Sequence, residues 1–290
     1  RAAERKLNYA LFERAEFANT IYDYQKAKLV MAEPSRLPLR SGIPFQEGSR
    51  EQVLAAWQAG AEKLGIKLVR AEVKSIKKAG DVFEIVHAGH GGPGGQEITY
   101  AKHVVLAIGV QGTPRKLGVP GEDQKHVIYT LSDPDEYKGK HILVAGAGDS
   151  AIENALALAD NNTVSIMNRS AEFARAKDQN GKLITEAIAL EKIRCFSSTV
   201  LKRIGLDRVW LETPKGEVEL PCDLVIVRAG GVPPRKFLES CGITLPADNP
   251  AALPKVDQRY QTNVENLYCL GALIGYPLIK QAMNQGYEVI

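Results

Sequence analysis

Short continuous runs of hydrophobic residues alternate with stretches of helical spacing along most of this chain. The runs at residues 142–145, 164–167 and 224–227 are typical of strands that are buried on both faces of a parallel sheet. The run at residues 104–108 has the same character, whereas hydrophobic and polar side chains alternate over residues 69–76, as in an antiparallel strand. This succession of strands and helices predicts an α/β fold with parallel sheets.

The first of these strands leads into a turn of the form G-x-G-x-x-A and then directly into a helical pattern. Gly146 permits the tight turn, Gly148 allows a diphosphate to approach the backbone, and Ala151 lets the helix pack closely on the strand. Free amides at the start of a helix favour an anion, so this segment predicts a dinucleotide site. Asp149 and Ser150 also have a purely structural interpretation, because both are good helix N-caps.

Composition and charge narrow the classes of function. The chain has 290 residues, a formal net charge of +3 and 24% charged residues, which is typical of a globular protein and argues against nucleic acid as a partner. No apolar run reaches membrane-spanning length and no signal-peptide pattern is present, so we expect a cytoplasmic protein without a membrane partner. The histidines show no metal-ligand spacing, and the cysteines are interpreted as small buried hydrophobic residues: Cys195, Cys222, Cys241 and Cys269.

An acidic residue near the start of the chain indicates a second nucleotide site. Residues 8–12 are predicted to form a strand that ends at Glu13, and in dinucleotide folds such a carboxylate follows the first phosphate-loop glycine by about 20 residues. This spacing puts the glycine before residue 1, so we expect the first phosphate loop to be missing from the chain. A surface glutamate on an ordinary strand is an equal alternative.

Four groups of motifs follow one another along the chain. They are residues 104–109 with 114–115 and 120–122, residues 146–151 with Glu153, a segment with Arg169, Phe173, Arg175 and Lys177, and residues 268–271 with 280–282. In this order they resemble the motifs of thioredoxin-reductase-like flavoproteins, over nearly the whole chain. The resemblance implies two Rossmann-like, three-layer dinucleotide-binding domains. The FAD-type domain is expected to be discontinuous, at residues 1–121 and 238–290, with the NAD(P)H-binding domain at residues 122–237.

The resemblance also implies which residues contact each cofactor. On the flavin side the implied residues are Glu13, Val73, Ala107, Gly109, Gly271, Lys280, Gln281 and Ala282. The last three are expected to approach the pyrimidine edge of the flavin from a helix start, although an ordinary surface helix is the alternative. Beyond the glycine turn, Gly230 is implied on the nicotinamide nucleotide side, and Glu153 is implied near the nicotinamide. An ordinary glutamate beside the helix dipole is an equal interpretation of Glu153.

The chain departs from the family pattern at the dithiol and in the C-terminal motif. Thr130 and Asp133 stand where the family has its redox dithiol, and neither side chain supports thiol–disulfide exchange, which needs a thiolate. Ala272 replaces the aspartate that binds the ribityl chain of the flavin. We therefore expect no ordinary thioredoxin reductase activity and a flavin site with one polar anchor fewer.

The choice between NADPH and NADH depends on the end of the second strand of the NAD(P)H domain. That strand is followed by Asn168 and Arg169, with no carboxylate for the ribose 2′-hydroxyl. A guanidinium binds a 2′-phosphate instead, so Arg169, with Arg175 as a helper, predicts NADP, and NAD stays possible. Ser170 stands where the family has a second arginine, and two solvated surface arginines are the alternative.

Two hypotheses of different classes follow. The first is an NAD(P)H-dependent flavoprotein oxidoreductase that passes hydride from NADPH to FAD, and electrons on to a small disulfide, a quinone, oxygen or a redox protein. A ferredoxin–NADP reductase of the thioredoxin-reductase type is one such enzyme. The second is a non-catalytic NAD(P)H sensor that keeps the turn at residues 146–151 and lacks flavin chemistry. The family is often homodimeric, but no interface is visible in the sequence.

Overall fold

The structure is a computed structural model, and it describes residues 1–89, 95–174, 176–249 and 251–290. The chain divides into two compact units. Unit 1 comprises residues Arg1–Tyr22, Ala27–Thr113 and Gly231–Ile290, and unit 2 comprises Asp23–Lys26 and Pro114–Gly230. Across the described ranges, no helix has both the length and the apolarity that crossing a membrane requires.

The chain contains sixteen strands, six α-helices and two short 3-10 helices within the described residues. The strands are β1 (Leu11–Glu13), β2 (Leu29–Val30), β3 (Gly48–Ser49), β4 (Leu68–Ala79), β5 (Val82–Gly89), β6 (Glu97–Ala101), β7 (Val104–Leu106), β8 (Val127–Ile128), β9 (His141–Ala145), β10 (Thr163–Met167), β11 (Ile193–Phe196), β12 (Val200–Ile204), β13 (Arg208–Thr213), β14 (Gly216–Pro221), β15 (Leu224–Val227) and β16 (Leu267–Cys269). The helices are α1 (Asn19–Tyr22), α2 (Arg50–Lys63), α3 (Asp149–Ala159), α4 (Asp178–Ala189), α5 (Arg235–Ser240) and α6 (Ile279–Glu288), with 3-10 helices at Pro134–Glu136 and Gly271–Ile274.

A five-stranded parallel sheet forms the centre of unit 2, in the order β11-β10-β9-β15-β8. Its strands are buried on both faces, which explains their continuous hydrophobic runs. In β9, Ile142 and Val144 belong to a core cluster with residues of α3 and α4, while Leu143 and Ala145 belong to a cluster on the opposite face. The predicted parallel strands at residues 142–145 and 224–227 are therefore neighbours at the centre of this sheet.

The strand order reverses between β9 and β15. From β9 the chain continues through α3 to β10 on one side, whereas β15 lies on the other side, between β9 and β8. In open α/β sheets, ligands bind outside the carboxyl ends of the strands at such a reversal. The glycine turn after β9 lies at this position.

The second face of the sheet packs against the antiparallel sheet β12-β13-β14. Val209 and Leu211 of β13 are fully buried, and they share a core cluster with Leu143 and Val225 of the parallel sheet. These three strands were not predicted from the sequence. The helices on one face and the small sheet on the other enclose the parallel sheet as the middle of three layers.

Unit 1 contains a four-stranded sheet, β1-β4-β5-β6, and the parallel pair β16-β7. β1 and β4 are parallel, whereas β4, β5 and β6 pair antiparallel. The antiparallel pairing of β4 agrees with the alternating pattern of residues 69–76. Buried side chains of β4, β5, β7 and β16 form one core with α5, including Ile76, Phe83, Leu106, Leu238 and Leu267. β7 ends two residues earlier than the predicted strand at residues 104–108, because its pairing with β16 ends where Leu106 meets Cys269.

In the structure the chain passes from unit 1 to unit 2 at 113/114 and back at 230/231. Both boundaries lie a few residues earlier than the predicted ones at 121/122 and 237/238. Residues 114–121 are held by unit 2, in part because the amide of Ile204 donates to the Pro120 carbonyl at 2.9 Å. The assignment of each unit to one cofactor stays a prediction.

A buried carboxylate fixes the segment that enters unit 2. Glu122 accepts hydrogen bonds from the amides of Leu117 and Gly118, both at 2.6 Å, and from the Tyr129 hydroxyl at 2.7 Å. Burial alone raises the pKa of Glu122, but these hydrogen bonds and the nearby Lys116 ammonium outweigh it, and the net pKa lies below the ordinary value. The segment is therefore held by an ionised carboxylate.

We expect Glu122→Gln to destabilise the protein by about 1–3 kcal/mol at neutral pH, because the charge-assisted bonds are lost. The folded-state pKa is depressed, so the stabilisation is present above the ordinary value of 4.5 and disappears as the pH falls through the folded pKa. Urea unfolding between pH 7 and pH 3 measures this, with Asp123→Asn as the control. A stability difference that persists unchanged at pH 3 contradicts the assignment.

Candidate dinucleotide site

The turn after β9 requires glycine at its first position. Gly146 has φ of +152°, and a Cβ atom placed there would lie 2.5 Å from the carbonyl oxygen of Arg228. The Gly146 amide donates to the Met167 carbonyl at 3.1 Å, which ties the turn to β10. The close approach between the ends of β9 and β15 thus explains the residue type without reference to a ligand.

Gly148 differs, because its own protein surroundings do not require glycine. A Cβ atom there meets nothing within 4 Å among the described neighbours, and its φ of −90° is open to any residue. Gly148 is the N-cap of α3, and no side chain caps this helix. The Gly148 carbonyl accepts from the Ala151 and Ile152 amides, so the amides of Asp149 and Ser150 precede the first intrahelical bonds, next to open space. This arrangement fits a diphosphate, which the helix dipole and the amides would bind.

Asp149 and Ser150 lie in the first turn of α3 and are not its N-cap. The Asp149 carboxylate accepts a hydrogen bond from the Lys177 amide at 2.9 Å and another from the Asn180 side chain at 2.8 Å. Asn180 also donates to Glu153 at 3.2 Å. Asp149 and Glu153 therefore connect the start of α3 to the start of α4.

Ala151 packs the helix onto the sheet as the turn pattern predicts. Its side chain is 1% exposed and belongs to the core cluster with β9 and β10. A larger side chain at this position would separate α3 from the sheet and displace the helix N-terminus.

The loop after β10 carries the predicted determinants of NADP binding. Asn168 is buried, donates to the Glu172 carbonyl at 2.6 Å and accepts from the Ser170 amide at 3.0 Å. The Asn168 side chain therefore shapes the loop from within. Arg169 is exposed and has no ion-pair partner among the described residues. Arg175 lies outside the described residues.

Gly230 and Arg228 follow β15 at the same edge of the sheet. Gly230 is exposed, has φ of +85°, and accepts a hydrogen bond from the Arg115 amide at 2.9 Å. The Arg228 guanidinium donates to the Tyr129 carbonyl at 2.6 Å, and Arg228 was not among the predicted site residues. The sequence pattern that could have identified Arg228 is a charged residue just after a buried strand, which is also the pattern that identified Arg169.

In unit 1, the predicted flavin residues lie at the ends of several strands. Glu13 is the last residue of β1, and its carboxylate accepts a hydrogen bond from the Ala15 amide at 3.0 Å. Ala107 and Gly109 follow β7; Ala107 is exposed, and Gly109 has φ of +60°. Val73 is half-buried on β4, next to an irregularity in its pairing with β5.

The predicted C-terminal flavin residues lie on the 3-10 helix Gly271–Ile274 and on the first turn of α6. Gly271 has φ of +66°, and a Cβ atom there would lie 3.1 Å from the Ala282 side chain. Its amide donates to the buried Gln285 side chain at 2.8 Å. The hydrogen bond to Gln285 thus holds Gly271 against α6, close to Ala282.

Lys280 and Gln281 precede Ala282 on the same turn and are partly exposed. The Lys280 ammonium donates to the Pro34 carbonyl at 3.1 Å, and Asn284 one turn later holds the Pro38 carbonyl at 2.9 Å. Lys280 therefore has a structural contact with the backbone, in addition to its predicted contact with the flavin.

Of the two positions that correspond to the family dithiol, Asp133 has a structural role here. Asp133 accepts a hydrogen bond from the Asp135 amide at 3.0 Å and pairs with the Lys26 ammonium at 3.2 Å, and these contacts lower its pKa. All four cysteines are free thiols. Burial raises the pKa of Cys222 and Cys241 to about 11 and that of Cys269 to about 12. These three thiols are neutral at pH 7 and therefore poor nucleophiles.

Comparison with known proteins gives consistent matches over most of the chain. The family model described as pyridine nucleotide-disulphide oxidoreductase matches residues 2–286. The chain is similar to a ferredoxin–NADP reductase of Ignicoccus hospitalis, at 28% identity over 251 residues, which cover 84% of this chain and 79% of that protein. A ferredoxin–NADP reductase of Thermus thermophilus is 28% identical over 219 residues, which cover 72% of this chain and 62% of that protein. The match thus spans less than two thirds of the length of the second relative.

Two solved structures have the same fold. The bacillithiol disulfide reductase of Bacillus cereus has a TM-score of 0.88 at 20% identity and covers 99% of this chain and 92% of that one. The thioredoxin reductase of Lactococcus lactis has a TM-score of 0.79 at 23% identity and covers 99% of this chain and 90% of that one.

These matches confirm the predicted α/β fold class of two Rossmann-like domains and the predicted family resemblance. They also confirm the predicted class of enzyme, a pyridine nucleotide-dependent flavin oxidoreductase. The family match over residues 2–286 shows that this chain belongs to the pyridine nucleotide-disulphide oxidoreductase family.

Proposed function

We propose that this chain binds NADPH in unit 2 and FAD in unit 1 and exchanges electrons with a ferredoxin. The observation that carries the proposal is the uncapped N-terminus of α3, with open space in front of Gly148. The proposed acceptor is drawn from the similar curated proteins that are named ferredoxin–NADP reductases.

Each part of unit 2 has a distinct task in this proposal. The amides at the start of α3 bind the diphosphate, and the guanidinium of Arg169 binds the 2′-phosphate. Asn168 holds the loop that presents Arg169, through its bonds to Glu172 and Ser170. Asp149 keeps the N-terminus of α3 in place through its two bonds to the beginning of α4.

Unit 1 offers a site for FAD at the ends of β1, β7 and β16. Glu13 ends β1 in the manner of a ribose-binding carboxylate, and Gly271 follows β16 in close contact with Ala282. Ala272 has no polar group for the ribityl chain, so the backbone and α6 have to hold the flavin there.

When bound, NADPH supplies a hydride and FAD accepts it, so the cofactors rather than side chains carry the redox chemistry. The protein orients the two rings and excludes competing reactions. Thr130 and Asp133 provide no thiols, and three of the four cysteines are buried with raised pKa values. Electrons therefore leave without a protein disulfide, as a ferredoxin acceptor permits. The unpaired thiols also suit a reducing compartment, and on this ground we propose a cytoplasmic location.

Visible spectroscopy tests the proposal. We expect purified protein mixed with FAD to retain a yellow flavin after gel filtration, NADPH to bleach it anaerobically, and oxidised ferredoxin to restore the colour. NADH and an oxidised dithiol serve as the comparison donor and acceptor. Colourless protein that binds NADPH and takes up no FAD would contradict the enzyme and support the alternative of a nucleotide sensor.

A further inference from the structure

Arg228 occupies the carboxyl end of β15, at the point where the strand order of unit 2 reverses. Along β15, Leu224 and Ile226 pack in the core on the side of α3, whereas Val225 and Val227 pack on the opposite side. Because side chains alternate along a strand, Arg228 falls on the side of α3. The Arg228 carbonyl oxygen is also the atom that a Cβ atom placed on Gly146 would meet most closely. Arg228 therefore adjoins the turn that leads into α3.

The surroundings of Arg228 compensate its charge only in part. Of the five guanidinium N–H groups, the Tyr129 carbonyl accepts one, and the buried Nε has no hydrogen-bond partner among the described residues. No carboxylate of the described residues lies within ion-pair distance of it. Burial lowers the pKa of Arg228, while Glu153 and Tyr24 oppose this effect from a distance. Arg228 is half-buried, and a charge that the protein compensates only in part is stabilised when a ligand provides the opposite charge.

The edge of the sheet places three anion-binding features in a row. Arg169 follows β10, the open amides of α3 follow β9, and Arg228 follows β15, and these strands are successive neighbours. Neighbouring strands are about 4.8 Å apart, so the outer two features are separated by roughly 10 Å. In an extended dinucleotide, the 2′-phosphate would contact Arg169 and the diphosphate would contact α3. The nicotinamide half of the same molecule would then extend towards β15.

We propose that Arg228 binds the phosphate on the nicotinamide side of the dinucleotide and so positions the nicotinamide half. This inference rests on the proposed binding of NADPH in unit 2. A guanidinium suits this task because its planar fork donates to two phosphoryl oxygens at once. The bond to the Tyr129 carbonyl fixes the side chain in advance, so little side-chain freedom is lost on binding.

Two ligands that share the adenosine half distinguish this role from a structural one. NADPH contains both halves, whereas adenosine 2′,5′-bisphosphate lacks the nicotinamide half and its phosphate. In calorimetric titrations, we expect Arg228→Met to weaken NADPH binding about ten- to a hundredfold and to leave the bisphosphate unaffected. Arg228→Lys should lose less NADPH affinity, because the charge is kept and only the fork is lost.

Arg203→Met is the matched control. Arg203 also belongs to unit 2, but its guanidinium lies 3.5 Å from the centroid of the Trp210 ring on the antiparallel sheet, and we expect both affinities to be unchanged. Thermal unfolding checks that each variant is folded; if Arg228→Met is not, the comparison is made with Arg228→Lys. Unchanged NADPH binding in a folded Arg228 variant, or an equal loss for both ligands, overturns the inference. Failure of the unaltered protein to bind NADPH would instead overturn the proposed function.

Discussion

Replacement of Gly148 by valine is expected to abolish NADPH binding and to leave the protein folded. A Cβ atom at this position meets no described part of the protein within 4 Å, and φ of −90° is open to valine, so we expect the free energy of unfolding to change by no more than about 1 kcal/mol. The same side chain fills the space in front of the α3 amides. We expect the affinity for NADPH to fall by more than about a hundredfold, because several charge-assisted bonds to the diphosphate are lost together.

Two other glycines provide the comparison. Gly286→Ala, on α6 of unit 1, also meets open space and should leave NADPH binding unchanged, because it lies outside unit 2. Gly146→Ala should destabilise unit 2, because its Cβ atom would lie 2.5 Å from the Arg228 carbonyl. Calorimetric titration and thermal unfolding separate the two effects. Tight NADPH binding by folded Gly148→Val would refute the placement of the diphosphate.

Arg169→Ala is expected to weaken NADPH binding about ten- to a hundredfold and to spare NADH. NADH differs from NADPH only by the absence of the 2′-phosphate, so a residue that binds this phosphate affects only NADPH. Arg169 is exposed and has no described ion pair, so its removal should leave stability nearly unchanged. Dissociation constants of both nucleotides, measured at two salt concentrations, test this, because attraction between exposed charges weakens with salt.

Arg203→Ala serves as the control for the loss of one positive charge in unit 2. We expect this variant to bind NADPH and NADH with unchanged affinity. Equal losses of NADPH and NADH affinity in Arg169→Ala would show that Arg169 acts on a part that the two nucleotides share. The choice of NADP over NAD would then need another determinant, and Arg175 is the next residue to replace.

The sequence predicts those parts of the site that depend on neighbouring residues. Strand β9, the glycine turn and α3 form one continuous segment, so hydrophobic periodicity and two glycines are enough to locate them. The loop with Asn168 and Arg169 is also local, since both residues directly follow a buried strand. Gly148 is informative because its residue type has no explanation within the chain itself.

Contacts between distant segments were beyond the reach of the sequence. The need for glycine at position 146 comes from Arg228, more than eighty residues later, and it becomes visible only once β15 is known to pair with β9. Lys280 likewise meets the carbonyl of Pro34, 246 residues earlier in the chain. Local periodicity contains no information about which strands become neighbours, so neither contact was predictable.

The three buried cysteines bear on how this protein tolerates air. Reduced flavins react with oxygen and generate hydrogen peroxide, and peroxide converts thiolates, not thiols, to sulfenic acid. With pKa values of about 11 to 12, Cys222, Cys241 and Cys269 are almost entirely protonated at neutral pH. Oxidative damage from the protein's own turnover thus spares these three core thiols, and Cys195, the third residue of β11, is the one cysteine that is only partly buried.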